Sequence, residues 1–241
     1  MELNTRILIY PLLMFLFVLT AHSTSNAKVI IKDPVKKDGV STTGTVTDRE
    51  GNVYKTVIIG TQVWMAENLK TTKYQNGDPI PQVLENTAWG ALKTGACCWY
   101  NNDVKTNKGV YGVLYNWAAI NDNRDIAPKE WHIPSDTEWT ILTKFLGGKA
   151  MAGGKLKETF TGHWSDPNTG ATNSTGFTAL PAGFRNNSGA FANAGVIGGW
   201  WSTTEYTKSV AWYRYVDYNT SNFYSVSTYK TSGFSVRCVK D

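Results

Sequence analysis

The segment 131–148, WHIPSDTEWTILTKFLGG, specifies a helix together with both of its ends. Ser135 precedes a helical pattern and Glu138 follows three residues later. This is the spacing of a capping box, in which the serine oxygen accepts a first-turn N–H and the glutamate reaches back to the cap. Pro134 keeps the residue before it extended, so strand-like chain turns abruptly into helix. Trp139, Leu142, Phe145 and Leu146 recur at helical spacing and mark one apolar face. Gly147 and Gly148 then end the helix, because glycine adopts the left-handed conformation a helix terminus needs. Such a helix must pack on something, and the rest of the chain offers a sheet.

Composition explains why a sheet is expected. Ten tryptophans, 22 glycines and only 18% charged residues favour strands and long ordered loops over helices. Residues 45–59 read as a hairpin about Arg49, Glu50, Gly51 and Asn52, and a second turn at Gly60 leads into QVWMAENL. Residues 74–81 are turn-rich. Asn86 is placed to cap a short helical turn, GACCWYNND reads as a strand breaking into a loop, and 111–120 as a short helix. Residues 151–179 read as loop with buried anchors Trp164 and Phe177, and 182–199 show no period. Three closing strands are expected at 210–218, 223–229 and 233–239. In the last, Phe234, Val236 and Cys238 alternate with Ser235 and Arg237, which puts the cysteine on the buried face.

The N-terminus reads differently. Residues 7–20 are 14 consecutive uncharged residues after Arg6, shorter than the roughly 20 a membrane span needs. With small residues following, 1–27 reads as a secretory signal, the alternative being an uncleaved anchor. The protein is therefore expected outside the cytoplasm: secreted, periplasmic or at the cell surface. Residues 28–44 are polar and read as a flexible tether, leaving one domain over 45–241. Four tether lysines against Asp33 and Asp38 hold +2 of the chain's +5. The domain's remaining charge is too mild and scattered for a nucleic-acid partner.

The successive blocks VTDREGNVYKTVIIGTQVWMAENLKTTKY, CWYNND, YGVLYNWAAI, WHIPSDTEWTILTKFLGG, GFTALPAGFRNN, WWSTTEY and GFSVRCVKD resemble the Fibrobacter succinogenes major paralogous domain, a family of secreted bacterial proteins. More distantly, WHIPSDTEW and GFSVRCV resemble blocks of the formylglycine-generating, sulfatase-modifying enzymes. The resemblance implies a C-type lectin-like fold: an α+β domain with two main helices, a small antiparallel sheet and long ordered loops that carry function.

The chemistry of the relatives does not carry over intact. Sulfatase-modifying catalysis uses a late pair of thiols, because a thiolate is both nucleophile and soft metal ligand. No cysteine lies between Cys98 and Cys238, so an enzyme is the remotest reading and no catalytic residue is assigned. His132, at the helix entrance, reads as a packed or capping residue. The Glu-Pro-Asn and Trp-Asn-Asp signatures of calcium-dependent lectins are also missing. Asn101, Asn102, Asp103, Asn186 and Asn187 offer hard oxygens suited to calcium, though such clusters more often build turns. No cofactor and no metal ligand set is assigned, and calcium stays open.

The leading expectation is a non-catalytic binding module for surface glycan or polysaccharide. The alternative is a structural or adhesion protein that binds another protein. Sugars lay C–H faces on aromatic rings and offer hydroxyls to amides and carboxylates. Arg185, Asn186, Asn187, Trp200, Trp201, Glu205 and Tyr206 gather such groups and form the expected site, although tryptophans are as often core. Relatives read Tyr-Cys-Trp-Tyr at CWY, and lectin-like domains tie the final strand to an early element. The resemblance thus implies a Cys98–Cys238 disulfide with Cys97 free.

Overall fold

The computed structural model describes residues 35–37 and 40–241, with side chains from Gly44 onward. The expected signal segment, 1–27, lies outside the described residues, as does the first part of the tether. Residues 35–37 and 40–44 of that tether are strand. Val35–Lys37 (β1) and Val40–Thr47 (β2) pair as antiparallel strands. β2 continues into the expected hairpin with Val53–Ile59 (β3), which then pairs with Gln62–Met65 (β4).

A short helix, Asn86–Gly90 (α1), is capped by the Glu85 backbone and not by Asn86. Cys97–Cys98 (β5) leads to a left-handed turn at Asn101 and Asn102, then to Val104–Tyr111 (α2), capped by Asp103. Residues 111–120, expected to be helical throughout, divide. Leu114–Asn116 (β6) is strand, and Asn116 then caps the four-residue helix Trp117–Ile120 (α3) by accepting from the Ala119 N–H. Trp131–His132 (β7) precedes the predicted helix, Asp136–Phe145 (α4), whose capping box is fully formed. Trp139, Leu142 and Leu146 are buried, while Phe145 is 63% exposed and is not part of the apolar face. Gly147 and Gly148 close α4 at φ +93° and +90°, as expected. A second helix, Lys149–Leu156 (α5), follows where loop was expected.

Residues 182–199 also hold more order than their pattern suggests. Ala182–Arg185 (β8) and Phe191–Ala194 (β9) form a hairpin, and Ile197–Thr207 (β10) begins directly after it. Val210–Asp217 (β11) and Phe223–Tyr229 (β12) match the expected strands. The last strand is broken into Gly233–Phe234 (β13) and Val239–Lys240 (β14).

Three sheets result, not one small sheet: β1-β2-β3-β4-β14-β7, β5-β6-β13-β8-β9, and β10-β11-β12, with antiparallel pairing throughout the named strands. The domain is mixed, with antiparallel sheets and a few short helices. Among the described residues no helix is long and apolar enough to cross a membrane.

β10 runs between the core's two halves. Trp200 packs with Trp139 and Phe177 on the helix side, with ring centroids 6.3 and 5.6 Å apart. Trp201 meets Phe234 of β13 at 5.0 Å. Each indole N–H finds an acceptor: Trp200 donates to Asn68 Oδ1 at 2.8 Å and Trp201 to the Tyr115 carbonyl at 2.7 Å. A buried indole needs that partner, so both tryptophans are committed to the core.

Buried cations tie the long loops to this core. Arg185 is fully buried and donates to the carbonyls of Val83, Leu84 and Gly189 at 2.6, 2.6 and 2.7 Å. Its guanidinium lies between the rings of Trp89 and Phe191. Arg237, expected on an exposed face, is 1% exposed; it stacks on Phe177 and donates to the Phe177 carbonyl and to Asn68 Oδ1. Its neighbour Ser235 is equally buried. The Lys157 ammonium donates to the carbonyls of Thr169, Asp217 and Thr220 at 2.9–3.0 Å, and burial lowers its pKa to about 8.

Candidate functional site

The expected site does not assemble. Trp200, Trp201 and Arg185 are buried with no free face. Asn186 is spent on the β8–β9 turn, where its Oδ1 accepts from the Ser188 and Ala190 N–H groups. The second oxygen cluster is used in the same way: Asp103 caps α2 and Asn102 donates to the Leu84 carbonyl. Among the described residues no three of His, Cys, Asp and Glu converge on a point that could hold a metal.

The cysteines are three free, buried thiols, so the expected Cys98–Cys238 disulfide is absent. The adjacent pair does point to opposite sides of its strand. It is Cys97 that shares a hydrophobic cluster with Cys238, while Cys98 sits with Trp89, Ala96 and Leu114. Burial pushes the Cys98 thiol up to about 12, partly offset by Arg185 beside it. Burial likewise raises Cys97 and Cys238.

What the fold leaves open is a groove of about 1230 Å³. Its walls come from segments far apart in the chain: the prolines at 79 and 81, residues 92–95 after α1, α3 with the loop to Arg124, Asn187, the turn between β10 and β11, and the end of β12. Of the seven expected site residues, Asn187 lines it, and Glu205 borders it through an ion pair with Lys230.

Local chemistry fixes each wall. Asn116 is buried and fully bonded: it accepts from the Ala96 and Ala119 N–H groups and donates to the Thr94 carbonyl at 2.8 Å. It thereby pins the 94–96 segment to α3. Gly95 has no alternative, since a Cβ there would strike the Tyr74 hydroxyl and approach the Ala119 Cα to 2.9 Å. Trp117, beside Asn116, anchors its indole N–H on the Ser202 carbonyl at 3.0 Å. The Lys230 ammonium covers its ring 4.1 Å from the centroid while also bonding Glu205 and the Lys208 carbonyl.

At the far wall, Asp122 accepts from the Arg124 backbone N–H and, at 2.8 Å, from both Nε and Nη2 of its side chain. These bonds, the side-chain pair above all, hold the Asp122 carboxyl at about 2 against the opposing effect of burial. Arg124 also reaches Asp78 at 3.0 Å and stacks 3.9 Å from the Tyr74 ring. The Tyr74 hydroxyl lies behind Gly95, and burial, with the Asp122 charge nearby, raises its pKa to about 12.

The aromatic ring left open on the groove is Tyr229, 54% exposed at the end of β12, opposite Val210. Its neighbours supply amides and hydroxyls: Asn121, Asn123, Asn187, Thr94, Ser209 and Thr231. No histidine, cysteine or glutamate lines the groove. Sequence reasoning missed it because its walls meet only in the fold. The local signals were Asp122 and Arg124 two apart, and the Tyr-Lys-Thr turn after the last long strand. Tyr206, also expected, stands 58% exposed on the β10–β11 hairpin with its ring edge-on to Trp212 at 5.0 Å.

Residues 57–240 match the Fibrobacter succinogenes major domain family. The chain belongs to it. The match runs from within β3 to the end of β14 and takes in most of the core and every wall of the groove. No curated protein and no solved structure matches the chain.

Proposed function

We propose that the protein is an exported, non-catalytic module whose groove binds surface glycan or polysaccharide, on the C-type lectin-like fold that its sequence resemblance implies. One observation carries this reading: the groove sets an exposed tyrosine ring among amides and hydroxyls. That is the combination sugars use, with ring C–H groups on an aromatic face and hydroxyls on polar side chains.

The same wall supports the non-catalytic part of the proposal. General acid–base work needs a group whose pKa lies near the working pH. The groove's one carboxylate, Asp122, is locked into Arg124 and held at about 2. His132, His163 and the three thiols all lie elsewhere.

The test is a glycan array with the purified chain, repeated with Tyr229→Ala. The ring is exposed, so the variant should fold and melt as the parent does. Removing one stacking ring from nucleic-acid binders costs ~1–3 kcal/mol, and a similar loss of glycan affinity is expected here. If the parent binds no glycan but Tyr229→Ala abolishes capture of a purified surface protein, the groove is an adhesion site and the glycan reading is wrong.

A further inference from the structure

The groove's charges are not balanced, and the imbalance points to its ligand. Each carboxylate in or beside it already has a bonded cation: Asp122 and Asp78 share Arg124, and Glu205 pairs with Lys230. Two further cations line the walls, Lys93 just after α1 and Lys208 in the β10–β11 turn. Both are exposed, and among the described residues neither side chain makes an ion pair or a hydrogen bond. They stand at either end of one bonded wall. Lys93 adjoins Thr94, whose carbonyl takes Asn116; Asn116 precedes Trp117; Lys230 covers Trp117 and bonds the Lys208 carbonyl.

We propose that the groove selects an acidic saccharide, one bearing carboxylate or sulfate groups, with Lys93 and Lys208 as the cations that read its charge and Tyr229 as the ring that reads its sugar. The inference rests on the glycan reading above and adds the ligand class. A neutral polysaccharide could use Tyr229 and the amides, but it would gain nothing from two unpaired ammonium groups. An acidic chain gives both ammonium groups a partner without breaking any existing pair. Lysine suits the task because a compact ammonium on a flexible stem follows a repeating charge without demanding a fixed geometry.

Affinity electrophoresis of the full chain through gels holding polygalacturonate, dextran sulfate, neutral dextran or polyglutamate tests this. Both acidic polysaccharides should retard the protein at least about tenfold more strongly than neutral dextran. An exposed ion pair contributes up to about fivefold, so Lys93→Gln with Lys208→Gln should remove most of that preference. High salt should remove it too, since exposed charges are screened within about 3 Å at 1 M. Comparing polygalacturonate with dextran sulfate decides between carboxylate and sulfate.

Tyr229→Ala should weaken binding to acidic and neutral polysaccharides alike while the charge preference survives. Equal binding to neutral and acidic chains, unchanged in the lysine variants, would overturn the inference and leave the glycan reading standing. Polyglutamate binding as tight as polygalacturonate and indifferent to Tyr229→Ala would reduce the effect to general attraction of polyanions, which also overturns it. No binding to any saccharide would remove both.

Discussion

His132 makes the domain's stability depend on pH in a direction the geometry fixes. Its Nδ1 lies 2.6 Å from Asp241 Oδ1 and its Nε2 2.6 Å from Glu138 Oε1. Both nitrogens can donate only when the ring carries its second proton. Burial works against that charge, but the bonds to Asp241 and Glu138 outweigh it and raise the pKa above 6.5. Below pH 6.5 the ring is charged in the folded and unfolded chain alike, and the contribution is fully present. As pH rises through the raised folded-state value the ring loses a proton, one of the two bonds is lost, and stability falls.

On the acid side Glu138 acts in the opposite sense. Burial raises its pKa, but the bonds from Ser135 and His132 prevail and lower it below 4.5. Its contribution is therefore present above pH 4.5 and is lost as pH falls through the folded value. The histidine side chain is 39% exposed, so solvent screens both pairs. Each is worth nearer the ~0.2–1 kcal/mol of an exposed pair than the value of a buried one. Together they give roughly 1 kcal/mol, or about 2–4 °C in a domain of this size. Thermal melts of the parent and His132→Gln at low ionic strength should diverge: between pH 6 and pH 8.5 the parent should lose about 2–4 °C more than the variant. His163 pairs with Glu158 in both proteins, so the comparison subtracts it. Parallel curves would refute the reasoning.

Two further outcomes follow from the core. Arg185→Lys keeps the charge but loses the fork that reaches the Val83 and Leu84 carbonyls together. Denaturant titration should show a loss of about 2–4 kcal/mol, and a change under about 0.5 kcal/mol would show that the fork is dispensable. The three buried thiols should resist a thiol reagent in the native protein and all react in denaturant without a reducing agent. Recovery of fewer than three thiols would restore the disulfide implied by the family resemblance.

The parts of the fold that could be read from the sequence are those whose cause is local. The α4 capping box involves two side chains three residues apart, and the turn at residues 49–52 lies between strands that pair directly. β12 likewise occupies the expected residues, 223–229. The failures share a cause as well. Ser235 and Arg237 looked like a solvent face because they alternate with Phe234, Val236 and Cys238, yet both sides of that segment meet protein. Trp200 and Trp201 misled in the same way: alternation says they face opposite sides, and only the fold shows layers on both. The glycine-rich stretch before them gave no period because close packing replaces side chains there. A Cβ on Gly199 would strike the Phe234 ring at 2.8 Å, and one on Gly198 the Leu180 carbonyl.

The buried cations explain how so loop-rich a chain holds a groove open. A loop carries backbone carbonyls that must find donors when it is covered, and a side chain with several donors can satisfy several at once. Arg185, Arg237 and Lys157 each do this for loops distant in sequence, with no carboxylate bonded to any of them. Leaving out the carboxylate has a consequence for the surface. These three cations bond no acid, unlike the buried Arg214, which pairs with Asp136; the acids near the groove pair instead with Arg124 and Lys230, which shape its walls. Among the described residues, Lys93 and Lys208 are the groove-lining cations with no bonded carboxylate. Internal order and ligand preference are linked in this way: Arg185 holds the loop that leads into α1, and the segment after α1 carries Lys93. Loosening the buried arginine should therefore weaken charge selection in the groove even where the domain stays folded.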